Sequence, residues 1–474
     1  MGLYEELMAY RDSDIYPMHM PGHKRRDIMG KRNLPFGLDI TEIEGFDSLH
    51  DAAGTLKDAM QRAAELYHSC ETFFLVNGST SGILASIFAG ISKGGKVLAA
   101  RNSHHSIYNA ISLRELDVVY LLPEYDNSFG IAGSISVSSV LEALKKHNDI
   151  GLIIITSPTY DGVVSDIRTI CAHAHAHRIP VLVDEAHGSH FGFSPEFPES
   201  SVKAGADLVV HGLHKTLPCF TQSAILHVNG DLIDPFEIKK MLSVFQSSSP
   251  SYLLMAGIDS CIELLINRGE ALFNEYIMLI NAFNRKMKGL NNLRVFCKGN
   301  DDIVYHPAVY HFDPGKIVIS CRNTSIEGPY LAACLLERYR IQTEMSASDY
   351  VVAMTSIADT REGFLRLGDA LLCTDETIRQ TNCRKGGPTL PAIPEKCMHI
   401  HEAETAKGRF YPIDKSAGKT SAEYVFAYPP GIPLIVPGEI VSEHMIGQIT
   451  DMAVQSVAIK STYGKMPKEI KLIG

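Results

Sequence analysis

The sequence has no apolar run approaching the ~20 residues of a membrane-spanning helix, so a bilayer span is not expected. It has no CxxC pair and no metal-finger spacing. Its 10 cysteines are scattered, as expected of reduced thiols in a cytosol. Positive charge is not in excess: 44 Lys and Arg stand against 54 Asp and Glu, a formal net charge of −10. That argues against a nucleic-acid-binding surface and for solubility. The N-terminal MGLYEELMAY lacks the basic region and apolar core of a signal peptide. It begins Met-Gly, but Glu6 stands where a myristoylation motif needs Ser or Thr. No internal repeat is visible.

What is present is the balance of an ordinary soluble protein, 45% apolar and 21% charged over 474 residues. That length suits two or three domains with a sizeable core. Residues 1–45 are irregular in pattern, an N-terminal arm, with MPGHKRR (20–26) a Pro-Gly turn before a basic cluster. Short apolar runs then alternate with helical stretches. TFFLV (72–76), KVLAA (96–100), DVVYLL (117–122), GLIIIT (151–156), PVLVDE (180–185) and DLVVHG (207–212) read as buried strands. They are rich in Val, Ile and Leu and do not alternate, as in a parallel sheet covered on both faces. Between them lie helical segments: SGILASIFAGI, with Ile83, Ile87 and Ile91 on one face, SVLEALKKH and DIRTICAHAHAH. The alternation predicts a doubly wound α/β domain over 46–300, with its site at the C-terminal strand ends.

Beyond about residue 240 the pattern turns helical, with SYLLMAGIDSCIELLI and ALFNEYIMLINAFNRKM as two candidate helices. KIVIS (316–320), GPYLAACLLERY (328–339) and FLRLGDALL (364–372) then suggest a smaller α/β lobe over 301–373. A polar stretch from 374 to 388 reads as a linker, and 374–474 as linker plus C-terminal domain.

Four elements at strand ends can carry chemistry. In VVHGLHKTLP (209–218), Lys215 follows His214 at the end of a buried strand, where a lysine is costly unless paired or neutralised. NGSTSG (77–82) precedes a helix and offers free N–H groups with the hydroxyls of Ser79, Thr80 and Ser81. That is either an anion site or an ordinary capping loop. RNSHHS (101–106) carries His104 and His105, expected to point in different directions rather than to line one pocket. VDEAHGSHFG (183–192) puts Asp184 at the end of an apolar strand, followed by His187 and His190. A metal reading of these three has no HExxH-type helix spacing behind it, and no metal is expected.

One cofactor needs all four kinds of group. The phosphate of pyridoxal 5′-phosphate suits a helix N-terminus, and its aldehyde a lysine amine. Its pyridine nitrogen needs a carboxylate, and its flat ring a planar side chain to stack on. The order here is phosphate loop, aromatic, carboxylate, lysine.

These residues resemble the Orn/Lys/Arg decarboxylases, in their short form without the N-terminal wing domain. The resemblance runs nearly the whole length. It rests on MPGHK, DITEIEGFDSLHDA (39–52), ETFFLVNGSTSG (71–82), RNSHHSIYNAI (101–111), SPTYDGVVSDI (157–167), VDEAHGSHFGF (183–193), HKTLPCFTQSA (214–224), SSSPSYLLMAGID (247–259) and YPPGIPLIVPGE (428–439). It implies the aspartate-aminotransferase-like fold, fold type I, with a mostly parallel seven-stranded sheet in the large domain. It also implies pyridoxal phosphate, a basic amino acid substrate and a homodimer or larger assembly. Lys215 would then be the Schiff-base lysine, with His104 stacked on the ring and Asp184 on the pyridinium. Gly78, Ser79 and Thr80 would hold the phosphate. Ala186 would pack under the ring, with His187 and His214 in the same pocket. Ser248 and Ser249 would reach the neighbouring subunit's phosphate. The resemblance puts YPPGIPLIVPGE near the substrate entrance, so Glu439 is expected to meet the substrate's distal cation. Its plainer reading is a solvated surface glutamate.

The chain departs from that pattern at Gly212, where the family usually has a phosphate-binding Ser. This keeps a non-catalytic homologue open, beside a second alternative that the same scaffold allows, another fold type I reaction such as an aminotransferase or aldolase.

Overall fold

The computed structural model describes residues 14–18, 47–296, 307–381, 393–428, 432–454 and 458–473. All six apolar runs are strands of one sheet: Glu71–Leu75 (β1), Lys96–Ala100 (β2), Asp117–Leu121 (β3), Ile150–Thr156 (β4), Val181–Asp184 (β5) and Leu208–His211 (β6). A seventh strand, Ala224–Val228 (β7), lies between β6 and β1, giving the order β1-β7-β6-β5-β4-β2-β3. Only β7 runs antiparallel to its neighbours. Successive side chains leave the sheet on opposite faces. Val97, Leu152, Leu182 and Val210 enter one apolar cluster, and Leu98, Ile153, Val183 and Val209 enter another. Both faces are dry, which is why the strands read as unbroken apolar runs.

The helix after β1, Gly78–Gly90 (α1), starts earlier than the SGILASIFAGI pattern suggests. His105–Leu113 (α2) follows β2. The two helices expected after residue 250 are one, Tyr252–Met287 (α3), of 36 residues. At 1.5 Å per residue it is about 54 Å long. Met255, Ile258, Ile262, Leu265, Phe273, Tyr276, Ile280, Phe283 and Met287 are buried along it. With Gly269 sitting in the stripe, the three- and four-residue spacing never breaks, so nothing ends the helix midway.

Arg294–Phe296 (β8), Lys316–Ser320 (β9), Met345–Ser346 (β10) and Tyr350–Met354 (β11) form an antiparallel sheet in the order β8-β9-β11-β10. This smaller sheet therefore begins at Arg294, before residue 301. The helix Arg361–Thr377 packs with it and runs into the stretch read as linker, of which 382–392 lies outside the described residues. In the arm, Tyr16–Met18 is a strand paired in parallel with Ile341–Thr343. MPGHKRR lies outside the described residues. The C-terminal segment builds its own small sheets over a cluster including Val425, Ile435, Val441 and Leu472. No helix among the described residues is long and apolar enough to cross a membrane.

Candidate active site

A cavity of about 450 Å³ opens at the C-terminal ends of β1, β2, β4, β5 and β6. It is the place a sheet of this order leaves for a ligand. Gly78 begins α1 with φ +74, a conformation glycine adopts without strain. Gly78, Ser79 and Thr80 border the cavity, and the Ser79 hydroxyl oxygen is buried without a hydrogen-bond partner among the described residues. Free amides, the helix dipole and an unpaired buried hydroxyl make a seat for an anion.

After β2 the chain turns through Arg101 to His104, which caps α2. His104 Nδ1 accepts the Ser106 N–H at 3.2 Å and lies 2.8 Å from the Ser106 hydroxyl. Burial, then Lys215 and His105, push this imidazole below its ordinary pKa against the opposing pull of Asp184, which favours the neutral ring. His105 does not point away as expected. It also borders the cavity, packed on Phe426 and edge-on to Tyr424. Cap and first helical residue are separated by a helical rotation rather than a strand's reversal, so both can reach one space.

Asp184 ends β5, buried, with Oδ1 accepting the Ala186 N–H at 3.2 Å. Ala186 and His187 lie on the same wall. After β6 a single turn, Leu213–Thr216, carries His214 and Lys215 into the cavity. His214 Nδ1 donates to the Ser223 carbonyl at 2.9 Å. Burial lowers the Lys215 pKa, offset in part by Asp184 and Glu344. A lysine with an easily lost proton beside a carboxylate is suited to nucleophilic attack on a carbonyl.

Tyr160, Asp161, Phe426 and Lys460 also line the cavity. Asp161 is buried, which raises its pKa to about 6, and it accepts the Tyr350 hydroxyl at 3.0 Å. Phe426 and Lys460 come from the C-terminal segment, so that segment forms part of the site. His190 is drawn away to Asp313, Nε2 to Oδ1 3.0 Å. No group of three metal-ligating side chains occurs among the described residues.

The model of the Orn/Lys/Arg decarboxylase major domain matches residues 1–332, and that of the C-terminal domain matches 390–457. The chain belongs to the Orn/Lys/Arg decarboxylase family. The arginine decarboxylases of Bacillus subtilis and Halalkalibacterium halodurans are each 32% identical to it, over 94% and 95% of this chain and 92% of each relative. The lysine decarboxylase LdcA of Pseudomonas aeruginosa is 23% identical over 93% of this chain and 74% of its own length. The crystal structure of the Francisella novicida lysine decarboxylase LdcF superposes with a TM-score of 0.73 at 20% identity, covering 90% of this chain and 73% of that one. The protein is a decarboxylase of basic amino acids with a fold type I architecture.

Two expectations meet a different geometry. At Gly212, the family's usual Ser position, an added Cβ would lie 2.8 Å from the Ala186 carbonyl oxygen and 3.1 Å from Ser79 Oγ. The backbone here approaches too closely for a side chain, and the Ser79 hydroxyl sits against the vacated space. The second concerns Glu439, which is neither a surface residue nor a lining residue of the cavity. Its oxygens accept from Arg101 Nη1 at 2.6 Å and Nη2 at 2.8 Å, and Oε2 also accepts the Val436 N–H at 2.8 Å. With its charge already paired to Arg101 and its side chain away from the cavity, Glu439 is not placed here to meet a substrate cation. Ser248 and Ser249 are exposed and do not reach this chain's own cavity.

Proposed function

We propose that the cavity holds pyridoxal 5′-phosphate and that the enzyme uses it to decarboxylate arginine. The observation carrying the cofactor is the orphaned Ser79 hydroxyl at the N-terminus of α1, in one cavity with Asp184 and Lys215. The groups fit its parts: Gly78, Ser79 and Thr80 the phosphate, Asp184 the pyridine nitrogen, and Lys215 the aldehyde. His104 and Ala186 would pack against the ring, and His187 and His214 would complete the wall. Bound there, the cofactor supplies an electron sink for the bond to the departing carboxylate.

The protein's part is orientation and proton handling. Asp184 would hold a proton on the cofactor's nitrogen through a buried charge-assisted hydrogen bond. His104, whose burial favours the neutral form, would stack without adding a charge. The walls would exclude water and orient the substrate carboxylate, and Lys215 or His214 would hold the proton needed at Cα. Ser248 and Ser249 are exposed, and by the family resemblance they would complete the phosphate site of a second copy, so our reading of the working unit is a homodimer with an isologous interface. We read the enzyme as cytoplasmic, in keeping with its free described cysteines.

Arginine is favoured over lysine because the arginine decarboxylases are 31–32% identical to the chain and the lysine enzymes 21–23%. The test is to incubate the purified protein with pyridoxal phosphate and arginine, lysine or ornithine, and to identify the amine. CO₂ should leave from arginine without any keto-acid acceptor. Preferred turnover of lysine or ornithine overturns the substrate. A strict need for a keto acid makes the enzyme an aminotransferase.

Asp184→Asn should retain cofactor but reduce kcat by about a hundredfold or more, because an amide cannot keep the nitrogen protonated. Near wild-type kcat at saturating cofactor would remove Asp184 from this role.

A further inference from the structure

Behind the cavity wall lies a second buried lysine that the chemistry above does not use. Lys316 is the first residue of β9, in the smaller sheet, and is 1% exposed. Its stem lies under the turn at Gly162, where an added Cβ would come within 2.8 Å of it. Its ammonium nitrogen is 2.8 Å from His187 Nδ1 and 5.5 Å from the centre of the Tyr160 ring. That ring in turn packs at 5.1 Å on His187. Asp313, Glu344 and Asp161 surround the ammonium electrostatically, and Lys215 opposes it.

An ammonium has three donors and no acceptor, so the contact has one direction: Lys316 gives and His187 Nδ1 receives. The His187 proton must then sit on Nε2. Among the described residues nothing in the protein bonds that nitrogen, and the ring borders the cavity. His187 cannot escape by taking a second proton, because burial and then Lys215, Lys316, His214 and His104 hold its pKa well down.

We propose that Lys316 is a positioning residue: it fixes His187 as the Nε2–H tautomer, so that the smaller lobe presents an N–H donor to an anionic oxygen in the active-site cavity. The oxygen belongs to the bound cofactor or to the substrate carboxylate. This deepens the reading of the site given above, and it explains why a lysine is kept in a dry strand. The outer partners that orient metal-bound histidines change affinity or activity by about 10–100-fold when removed, and the same order is expected here. Burial and Lys215 bring the Lys316 pKa down to about 8, against Asp313, Glu344 and Asp161, so the lock holds below that pH and loosens above it.

The decisive measurement needs neither cofactor nor substrate. Nitrogen-15 spectra of histidine-labelled apoprotein, with the His187 signals assigned by their loss in His187→Gln, should show Nε2–H and bare Nδ1 from pH 6 to 7.5. Lys316→Met, which keeps the length but removes donor and charge, should give a mixture of tautomers. A wild-type His187 protonated on Nδ1, or on both nitrogens, overturns the proposal even if Lys316→Met does not fold. With the site loaded, Lys316→Met should raise the cofactor Kd about tenfold if the oxygen is the cofactor's. If the oxygen is the substrate's, it should raise KM about tenfold at unchanged cofactor Kd. Unchanged Kd, KM and tautomer together mean Lys316 only ties the two sheets. Failure of arginine turnover with an intact tautomer lock would instead count against the function assigned to the cavity.

Discussion

Lys215→Ala is expected to abolish turnover, by at least about four orders of magnitude, while leaving the protein folded. The side chain emerges from a one-turn helix, Leu213–Thr216, and ends in an open cavity, so truncation leaves no sealed void in the core. The helix has few requirements that alanine fails to meet, alanine being the best helix former. What is lost is the one amine beside Asp184 whose pKa burial lowers toward reactivity. Borohydride should attach pyridoxal phosphate to the wild-type chain at Lys215 and fail to attach it to Lys215→Ala. The Ser79 anion seat is intact in the variant, so non-covalent cofactor should still bind, more weakly. Borohydride attachment in the variant at Lys316 or Lys460, the other lysines at or behind the cavity wall, would transfer the role and overturn the assignment.

Lys215 was legible because it breaks a pattern: a charged residue at the end of an apolar strand. Lys316 breaks the same pattern, opening KIVIS, yet it drew no notice, because no partner stands near it in sequence. His187 lies 129 residues away. Strands of a parallel sheet announce themselves by composition, and six of the seven do so here. The seventh, AILHV, carries His227, whose ring is bonded to His211 at 3.1 Å and to Thr72 at 2.7 Å. A buried histidine satisfied by neighbouring strands looks polar in sequence and hides the strand. Likewise the two apolar helical stretches beyond residue 250 join because their buried faces are in phase through Gly269, a continuity missed when the two stretches are read separately. The motif residues of the site came together because each sits at a strand's C-terminal end, where topology alone makes them neighbours. Phe426 and Lys460 could not be found that way, since the docking of the C-terminal segment decides their place.

Glu439→Gln is expected to destabilise the protein by about 3–5 kcal/mol, the range for breaking a buried ion pair by removing one charge. The side chains of Arg101 and Glu439 are each 3% exposed, and the guanidinium also lies 4.6 Å from the Tyr120 ring centre. With Gln at 439 the guanidinium keeps at most one of its two hydrogen bonds to this side chain, because an amide nitrogen cannot accept, and it loses its counter-charge in a dry site. The consequence reaches the cavity because Arg101 follows β2 directly and opens the turn to His104. Its carbonyl is held by the Tyr108 hydroxyl at 2.6 Å, so the turn has few ways to relax. Glu439→Gln should therefore lower the urea midpoint and weaken cofactor retention at once. The double variant Arg101→Met/Glu439→Met separates this reading from a substrate-binding glutamate. Apolar residues of similar length remove both charges, so stability should return to near the wild-type level, as replacement of a whole buried pair generally allows. KM for arginine should return with it. A double variant that is stable but still binds arginine tenfold more weakly would mean Glu439 meets the substrate after all, in a state where Arg101 has let it go.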